Sequence, residues 1–428
     1  MSGNDAAAEL VPDPGNFDAE AFLNSLEPIG WKLGLERMET LSEELGRPQD
    51  SFATIHVVGT NGKSSVSRMI AAICEAHGYR AGCSLSPHLA HWSERVVVSG
   101  REDPQLFADC VKRVAEAAGA VNARLDGEEV TQFELATAAA FLTLAESGVQ
   151  IAAIEAGLGG RLDATNSIDS LATVLTSIGL DHTEFLGESE VEIAAEKLAV
   201  LRPGTTLVLG PVSSEVLGLA RSTAAERNCE LREITAAAGA PEVHGIGGFQ
   251  RTNFAVAEAA AGCFLGEVSR LKAEEAVGGL VIHGRLEQIG QKPLVLADVA
   301  HNPAGARALA ASLPEVTGET PVIGVIGVLA DKDAPGMLAE LAGSLDAAVF
   351  TGLPAEALMA WGRPGARAWD PEDLREVADG LGLESSIART PADAVARARE
   401  MALEREGAVV ITGSHFLFAP GEVVDTTA

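Results

Sequence analysis

The stretch Ile55-His-Val-Val-Gly-Thr-Asn-Gly-Lys-Ser-Ser65 constrains this chain more than any other. An apolar run of strand length enters two glycines, a lysine and two hydroxyls, and helical spacing continues to about His77. Gly59 and Gly62 permit a tight turn that aims successive backbone N–H groups into one concavity, and the positive end of the next helix faces the same space. A chain holds phosphate in this way: Thr60 and Asn61 complete the loop, Lys63 reaches the outer phosphates, and Ser64 or Ser65 offers Mg²⁺ a hydroxyl. Only Thr60 and Asn61 separate the glycines, so the spacing departs from the commoner G-x-x-x-x-G-K-[ST]. A bare glycine turn between strand and helix is the competing reading.

The same design recurs downstream. Tyr79 to Leu85 reads as a strand that delivers Ser86, Val149 to Ile154 as one that ends at Glu155, and Leu171 to Ile178 as one that leads to Asp181-His182. Helical patterns lie between, over 104–120 and 133–146. Ser189 and Glu192 fit a capping box, and the helix they open carries Lys197 and stops before Pro203-Gly204. Buried strands alternating with helices predict a parallel sheet covered on both faces, with ligands at the carboxyl ends of the strands. Gly59, Ser86, Glu155 and His182 all sit at or just past such ends.

With 428 residues the chain exceeds one ordinary core. A second α/β unit begins at Leu294-Val-Leu-Ala-Asp298 and continues through strands at 322–327, 347–350 and 408–412, and Gln288 to Pro293 reads as the join. The expected fold is therefore α/β: a P-loop ATPase domain with a mostly parallel sheet over 1–288, and a smaller C-terminal Rossmann-like α/β domain over 289–428. Residues 1–18 are expected to be a loose leader, and 234–249 an ordered loop rich in Ala and Gly.

Composition excludes several classes. The formal net charge is −30 and no stretch is rich in Lys or Arg, so the basic footprint of a nucleic-acid binder is missing. No apolar run approaches the roughly 20 residues of a membrane span, and Met1 to Ala8 does not resemble a secretory signal. The 5 cysteines include no C-x-x-C pair, which predicts free thiols in a reducing compartment, the cytoplasm.

Glu155 stands where P-loop ATPases carry the acid that holds Mg²⁺ directly or through water. His182 could complete that shell, although imidazole is an unusual ligand for so hard a cation. Lys197 has no acid three or four residues away on its helix, so the usual helix-face partner is missing. Arg285 could reach a phosphate, Asp298 could accept from ribose hydroxyls, and His301-Asn302-Pro303 follows on a tight turn.

These residues carry a resemblance. Gly59-Thr-Asn-Gly-Lys63, Ser86-Pro-His-Leu89, Glu155-Ala-Gly-Leu-Gly-Gly-Arg-Leu-Asp-Ala-Thr-Asn166, Gly179-Leu-Asp-His-Thr183, Ala195-Glu-Lys197, Gly284-Arg-Leu-Glu287, Asp298-Val-Ala-His-Asn-Pro303 and Leu329-Ala-Asp-Lys-Asp333 occur in this order. From about Leu33 to Gly413 the chain resembles the folylpolyglutamate synthase/dihydrofolate synthase family of the Mur ligase superfamily. The resemblance implies an ATP-dependent amide ligase that phosphorylates a carboxylate of folate or dihydropteroate and lets the amine of L-glutamate displace the phosphate. It implies ATP on Gly59 to Ser65, Arg285, Asp298 and Asn302. It implies Mg²⁺ at Ser64 or Ser65, Ser86, Glu155 and His182, with Lys197 carbamylated into an anionic ligand. Lys63, His182 and Lys197 are the expected catalytic groups, and the expected form is a cytoplasmic monomer. Ser64 stands where the folate enzymes usually carry Gly, so the loop is closer there to other Mur ligases. Two alternatives are another Mur-type amino-acid ligase, disfavoured because Gly59 leaves no room for a nucleotide-sugar domain before it, and an ATP-binding regulator without catalysis.

Overall fold

A computed structural model describes residues 17–26, 34–125, 127–235, 247–355, 358 and 365–418. The expected leader lies almost wholly outside them, as does most of the 234–249 loop. The chain divides into two compact units. The first comprises Met1–Ile178, Leu186–Ala238 and Asn253–Gly278, and the second Gly179–Phe185, Gly239–Thr252 and Gly279–Ala428.

The first unit is built on seven strands: β1 (Ala53–Val58), β2 (Ala81–Ser84), β3 (Val96–Val98), β4 (Ile151–Glu155), β5 (Ala172–Leu175), β6 (Thr206–Leu209) and β7 (Glu230–Glu233). Their order is β3-β2-β4-β1-β5-β6-β7. All neighbours run parallel except β3, which pairs antiparallel with β2. β1 is central, and its residues from Thr54 onward are buried, as expected of a strand covered on both faces.

Among the described residues five α-helices precede β4: α1 (Ala19–Ser25), α2 (Glu36–Glu44), α3 (Lys63–Ala76), α4 (Pro104–Asn122) and α5 (Gln132–Glu146). α5 is buried from Glu134 to Leu144, and α4 packs beside it through Phe107, Val111 and Val114. A second cluster joins Val58 and Leu175 to Leu198, Leu207 and Val216. Each fully buried side chain of this size contributes about 1.5–3 kcal/mol.

The second unit carries β8 (Glu287–Gln291), β9 (Leu294–Ala297), β10 (Val322–Ile326), β11 (Ala347–Phe350), β12 (Ser385–Ile387) and β13 (Ala408–Thr412), ordered β12-β11-β10-β13-β9-β8. Only β8 is antiparallel, to β9. Residues 288–293, read from sequence as a join, thus form most of this β8–β9 hairpin. The short strands β3, β7, β8 and β12 were not foreseen. β7 reads Glu-Leu-Arg-Glu, and an edge strand half open to water needs little apolar signal.

Candidate active site

The loop after β1 is shaped by its two glycines. Gly59 has φ 152° and Gly62 φ 85°, both in the region that favours glycine. A Cβ at Gly59 would run into Thr176 Oγ1, and one at Gly62 would lie 2.6 Å from Asn253 Oδ1. The segment after β5 pins the loop. Thr60 N–H donates to Ser177 O at 2.9 Å, and Asn61 N–H to Ser177 Oγ at 3.1 Å. In return Asn61 O accepts from Thr176 Oγ1 at 2.7 Å and from Ser177 Oγ at 3.0 Å. Lys63 Nζ donates back to Thr60 O at 3.2 Å, which keeps its charge over the loop.

Glu155 closes β4, in register with Val57 of β1. Its residue surface is 2% exposed. Ser64 Oγ donates to Oε1 at 3.0 Å and Ser86 N–H to Oε2 at 3.1 Å. This separates the two serines that the sequence left as alternatives: Ser64 reaches the carboxylate, whereas the Ser65 hydroxyl is buried without a partner among the described residues. The hydroxyl of Ser64 and the carboxylate of Glu155 are the hard oxygen donors that Mg²⁺ takes. No group of three or more His, Cys, Asp or Glu able to hold a metal occurs among the described residues.

Two neighbours of this site were missed from sequence. Arg95 is half-buried with its guanidinium 4.3 Å from the centre of the Trp92 ring, and its Nε donates to His88 Nδ1 at 3.0 Å. Burial pushes its pKa down to about 10, against the pull of Glu155, Glu94 and Glu20. A second network fastens the loop after β4. Asp163 accepts from Leu158 N at 2.8 Å and from Thr165 Oγ1 at 2.5 Å, and burial raises its pKa. Thr165 Oγ1 has thereby spent its proton, so at 2.9 Å it accepts from His56 Nε2–H. His56 is neutral, and burial pushes its pKa down to about 3. A lone His inside an apolar strand was the available signal.

Lys197 sits in the last turn of the helix Glu190–Leu198, which opens with the expected Ser189–Glu192 capping box. It is 5% exposed, so it is a buried lysine and not one on a solvated helix face. The preceding Glu196 O accepts from Arg161 N at 3.1 Å, which packs this helix end against the loop after Glu155.

In the second unit Asp181 is a hub. Lys332 Nζ lies 2.5 Å from Oδ1, His301 Nε2 3.3 Å from Oδ2, and Asn302 Nδ2 donates to Oδ2 at 3.1 Å. His182, at φ 51°, places Nε2 3.4 Å from Lys332 Nζ. Burial pushes the Asp181 carboxyl up, but the bond to His301 and the charges of His301, His182 and Lys332 together carry it well below the usual range. Asn302 also caps the helix Pro303–Thr317 by accepting from Gly305 N at 2.8 Å. Asp298, at the end of β9, accepts from Leu286 N and Ala300 N, each at 2.9 Å. Burial raises its pKa against the opposing charge of Arg285. The role of Lys332 was missed because an isolated lysine between two aspartates looks like a solvated turn.

Residues 57–208 match the Mur ligase middle domain and 284–415 the Mur ligase, glutamate ligase domain. The dihydrofolate synthase/folylpolyglutamate synthase of Mycobacterium tuberculosis is 33% identical, over 96% of this chain and 94% of that protein. The solved folylpolyglutamate synthase of Mycobacterium tuberculosis complexed with ADP and AMPPCP superposes with TM-score 0.81 at 29% identity, covering 90% of this chain and 93% of that one. A bifunctional folylpolyglutamate synthase/dihydrofolate synthase with Mn, AMPPNP and L-glutamate bound gives TM-score 0.78 at 28% identity, covering 95% and 98%. Matched along nearly its whole length, the chain belongs to the dihydrofolate synthase/folylpolyglutamate synthase family of Mur ligases.

Proposed function

We propose that the chain is an ATP-dependent ligase that adds L-glutamate to a folate, to dihydropteroate, or to both. The observation that carries this reading is the pinned phosphate loop with Lys63 in it, beside a buried Glu155 held by the hydroxyl of Ser64 and the amide of Ser86. The relatives solved with nucleotide, Mn and L-glutamate support the cofactor and the amino acid.

A substrate carboxylate oxygen attacks the γ-phosphorus of ATP and ADP leaves. The glutamate amine then attacks the acyl phosphate carbon, the C–N bond forms, and inorganic phosphate departs. Lys63 and the amides of 59–65 meet negative charge as it moves onto the leaving ADP. Mg²⁺, when bound, screens the phosphates and fixes their geometry. Ser64, Ser86 and Glu155 of the first unit are its proposed ligands; in the second unit, His182 is proposed as a metal-site residue and Arg285, Asp298 and Asn302 as nucleotide contacts. Asp298 and Asn302 would act there while also holding their backbone amides.

Lys197 is proposed to be carbamylated. Lys197 is 5% exposed, and carbamylation of its amine would yield oxygen donors. Intact mass and electron density test this: density ending at Nζ, with Lys197→Ala fully active, would remove the idea. The first unit is proposed as the ATP-binding domain and the second as the C-terminal ligase domain, with the boundary at Gly278–Gly279 in place of the 288–289 expected from sequence, in a cytoplasmic monomer. No helix among the described residues is long and apolar enough to cross a membrane, and all five cysteines are free.

The deciding experiment measures phosphate release with ATP alone, with ATP and L-glutamate, and with both plus dihydropteroate or tetrahydrofolate. Release that needs glutamate and a pteroate together supports the ligase; release with ATP alone, or none, rejects it.

A further inference from the structure

The loop between β2 and β3 does more than deliver Ser86. Glu94 gathers three of its backbone amides: Leu89 N at 2.8 Å, Ala90 N at 2.8 Å and His91 N at 2.7 Å. That knots the loop on itself but does not anchor it. Trp92, which is 3% exposed, ties it to α1. Its backbone N–H donates to Glu20 Oε1 at 2.8 Å, and its indole Nε1–H donates to Asn24 Oδ1 at 2.8 Å. Both acceptors belong to α1, four residues apart and therefore on one face of that helix. The other side of the indole carries Arg95 at 4.3 Å and the His88 ring at 4.5 Å. One residue, through its backbone and its indole, thus joins α1 to the loop whose Ser86 amide bonds Glu155.

We infer that the clamp of Glu20 and Asn24 on Trp92 makes α1 part of the metal–nucleotide site: it is a positioning device that holds the Ser86–Arg95 loop, and through the Ser86 amide the Glu155 carboxylate, in the geometry a divalent cation requires. None of the three clamp residues touches the reacting atoms. They act through Ser86, as partners behind a metal ligand act by fixing its orientation. This rests on the reading of Glu155 as a metal-site residue.

Three full-length variants test it. Trp92→Phe keeps a ring beneath Arg95 and removes the indole donor. Asn24→Ala removes the acceptor, and Asn24→Asp retains an oxygen in its place. Calorimetric titration of Mn²⁺ into protein saturated with ADP reads the site without turnover. Trp92→Phe and Asn24→Ala are expected to weaken Mn²⁺ binding roughly tenfold, the low end for partners behind a ligand. They should raise the Mg²⁺ needed for half-maximal rate in step and leave the KM for glutamate unchanged. Asn24→Asp is expected to recover most of the loss. Mn²⁺ affinity equal to wild type in both Trp92→Phe and Asn24→Ala overturns the inference, even if their thermal midpoints fall, because that is a structural role alone. Glu155→Gln separates the two levels: if it leaves Mn²⁺ binding intact the metal reading itself fails, whereas its weakening beside an unaffected Trp92→Phe rejects only the clamp.

Discussion

Each unit holds a buried carboxylate at its polar centre, and the two are held differently. Glu155 is oriented by a hydroxyl and a backbone amide, donors that aim a carboxylate without cancelling its charge. Asp181 is gripped by the Lys332 ammonium and the His301 imidazole, which do cancel it. The His301 ring places Nδ1 2.8 Å from Val299 O and Nε2 3.3 Å from Asp181 Oδ2, so it bridges the Asp298–Asn302 turn to the carboxylate. A carboxylate oriented by neutral groups retains its pull on an incoming cation; one matched to built-in cations fixes structure. Glu155 is accordingly the group expected to govern chemistry, and Asp181 the group expected to govern stability and the placing of Lys332, His301 and Asn302.

The largest expected effect lies on the phosphate side of this contrast. Lys63→Ala should lower kcat roughly a hundredfold to a thousandfold, the loss seen when one preorganised donor to developing charge is removed. Its circular dichroism and thermal midpoint should match wild type, since among the described residues the half-buried Lys63 ammonium bonds a loop carbonyl. A near-wild-type rate would take the loop out of the mechanism. Next comes Glu155→Gln, in which a neutral amide replaces the carboxylate and hard-cation binding weakens. The rate should fall and the Mg²⁺ concentration for half-maximal rate should rise, with little change in urea stability. An unaltered Mg²⁺ dependence would make Glu155 a structural strand end and dissolve the contrast.

The sequence shows one side of this comparison far better than the other. Gly59, Gly62, Lys63 and Glu155 lie at ends of apolar runs whose length announces strands, and local spacing is enough to place them. The Ser189–Glu192 cap is equally local. Long-range pairing is not readable that way. Nothing in the sequence near Asp181 indicates that Lys332, 151 residues later, will lie 2.5 Å away. Nor does it show that Trp92 will meet Asn24, 68 residues earlier, or that Lys197 will be buried. The β8–β9 hairpin was mistaken for a linker because Gly, Lys and Pro interrupt a short, half-exposed edge strand.

Asp181 offers the converse test. Lys332→Met leaves the carboxylate buried with His301 and Asn302 but without its closest cation. Removing one partner of a buried pair costs about 3–5 kcal/mol, and the remaining partners should hold the loss to about 2–3 kcal/mol. Urea unfolding should show a lower midpoint. Stability equal to wild type would mean that the ammonium does not neutralise Asp181.

The smallest expected effect separates the units by pH. Asp181 in the folded chain lies well below the ordinary carboxylate range, so its stabilisation is complete above about pH 4 and is lost only as pH falls far below that. His56 in the first unit has its folded pKa pushed from 6.5 to about 3 by burial, helped by the charge of Arg202. The unfolded chain therefore binds a proton at His56 through a range in which the folded chain does not. Stability from this group is complete above pH 6.5 and declines as pH falls towards 3, by at most about 1.4 kcal/mol for each pH unit. The two groups divide the acid range between them, with His56 acting first. Urea midpoints measured at intervals from pH 7.5 down to about 4.5 should fall in wild type. In His56→Gln, whose amide retains a donor towards Thr165 and cannot titrate, the fall should be shallower, although the variant is less stable at neutral pH. In Asp181→Asn the slope over this range should equal that of wild type. A His56→Gln slope identical to wild type would show that the ring already takes up its proton in the folded chain, and the buried His56–Thr165–Asp163 relay would then need a different protonation state.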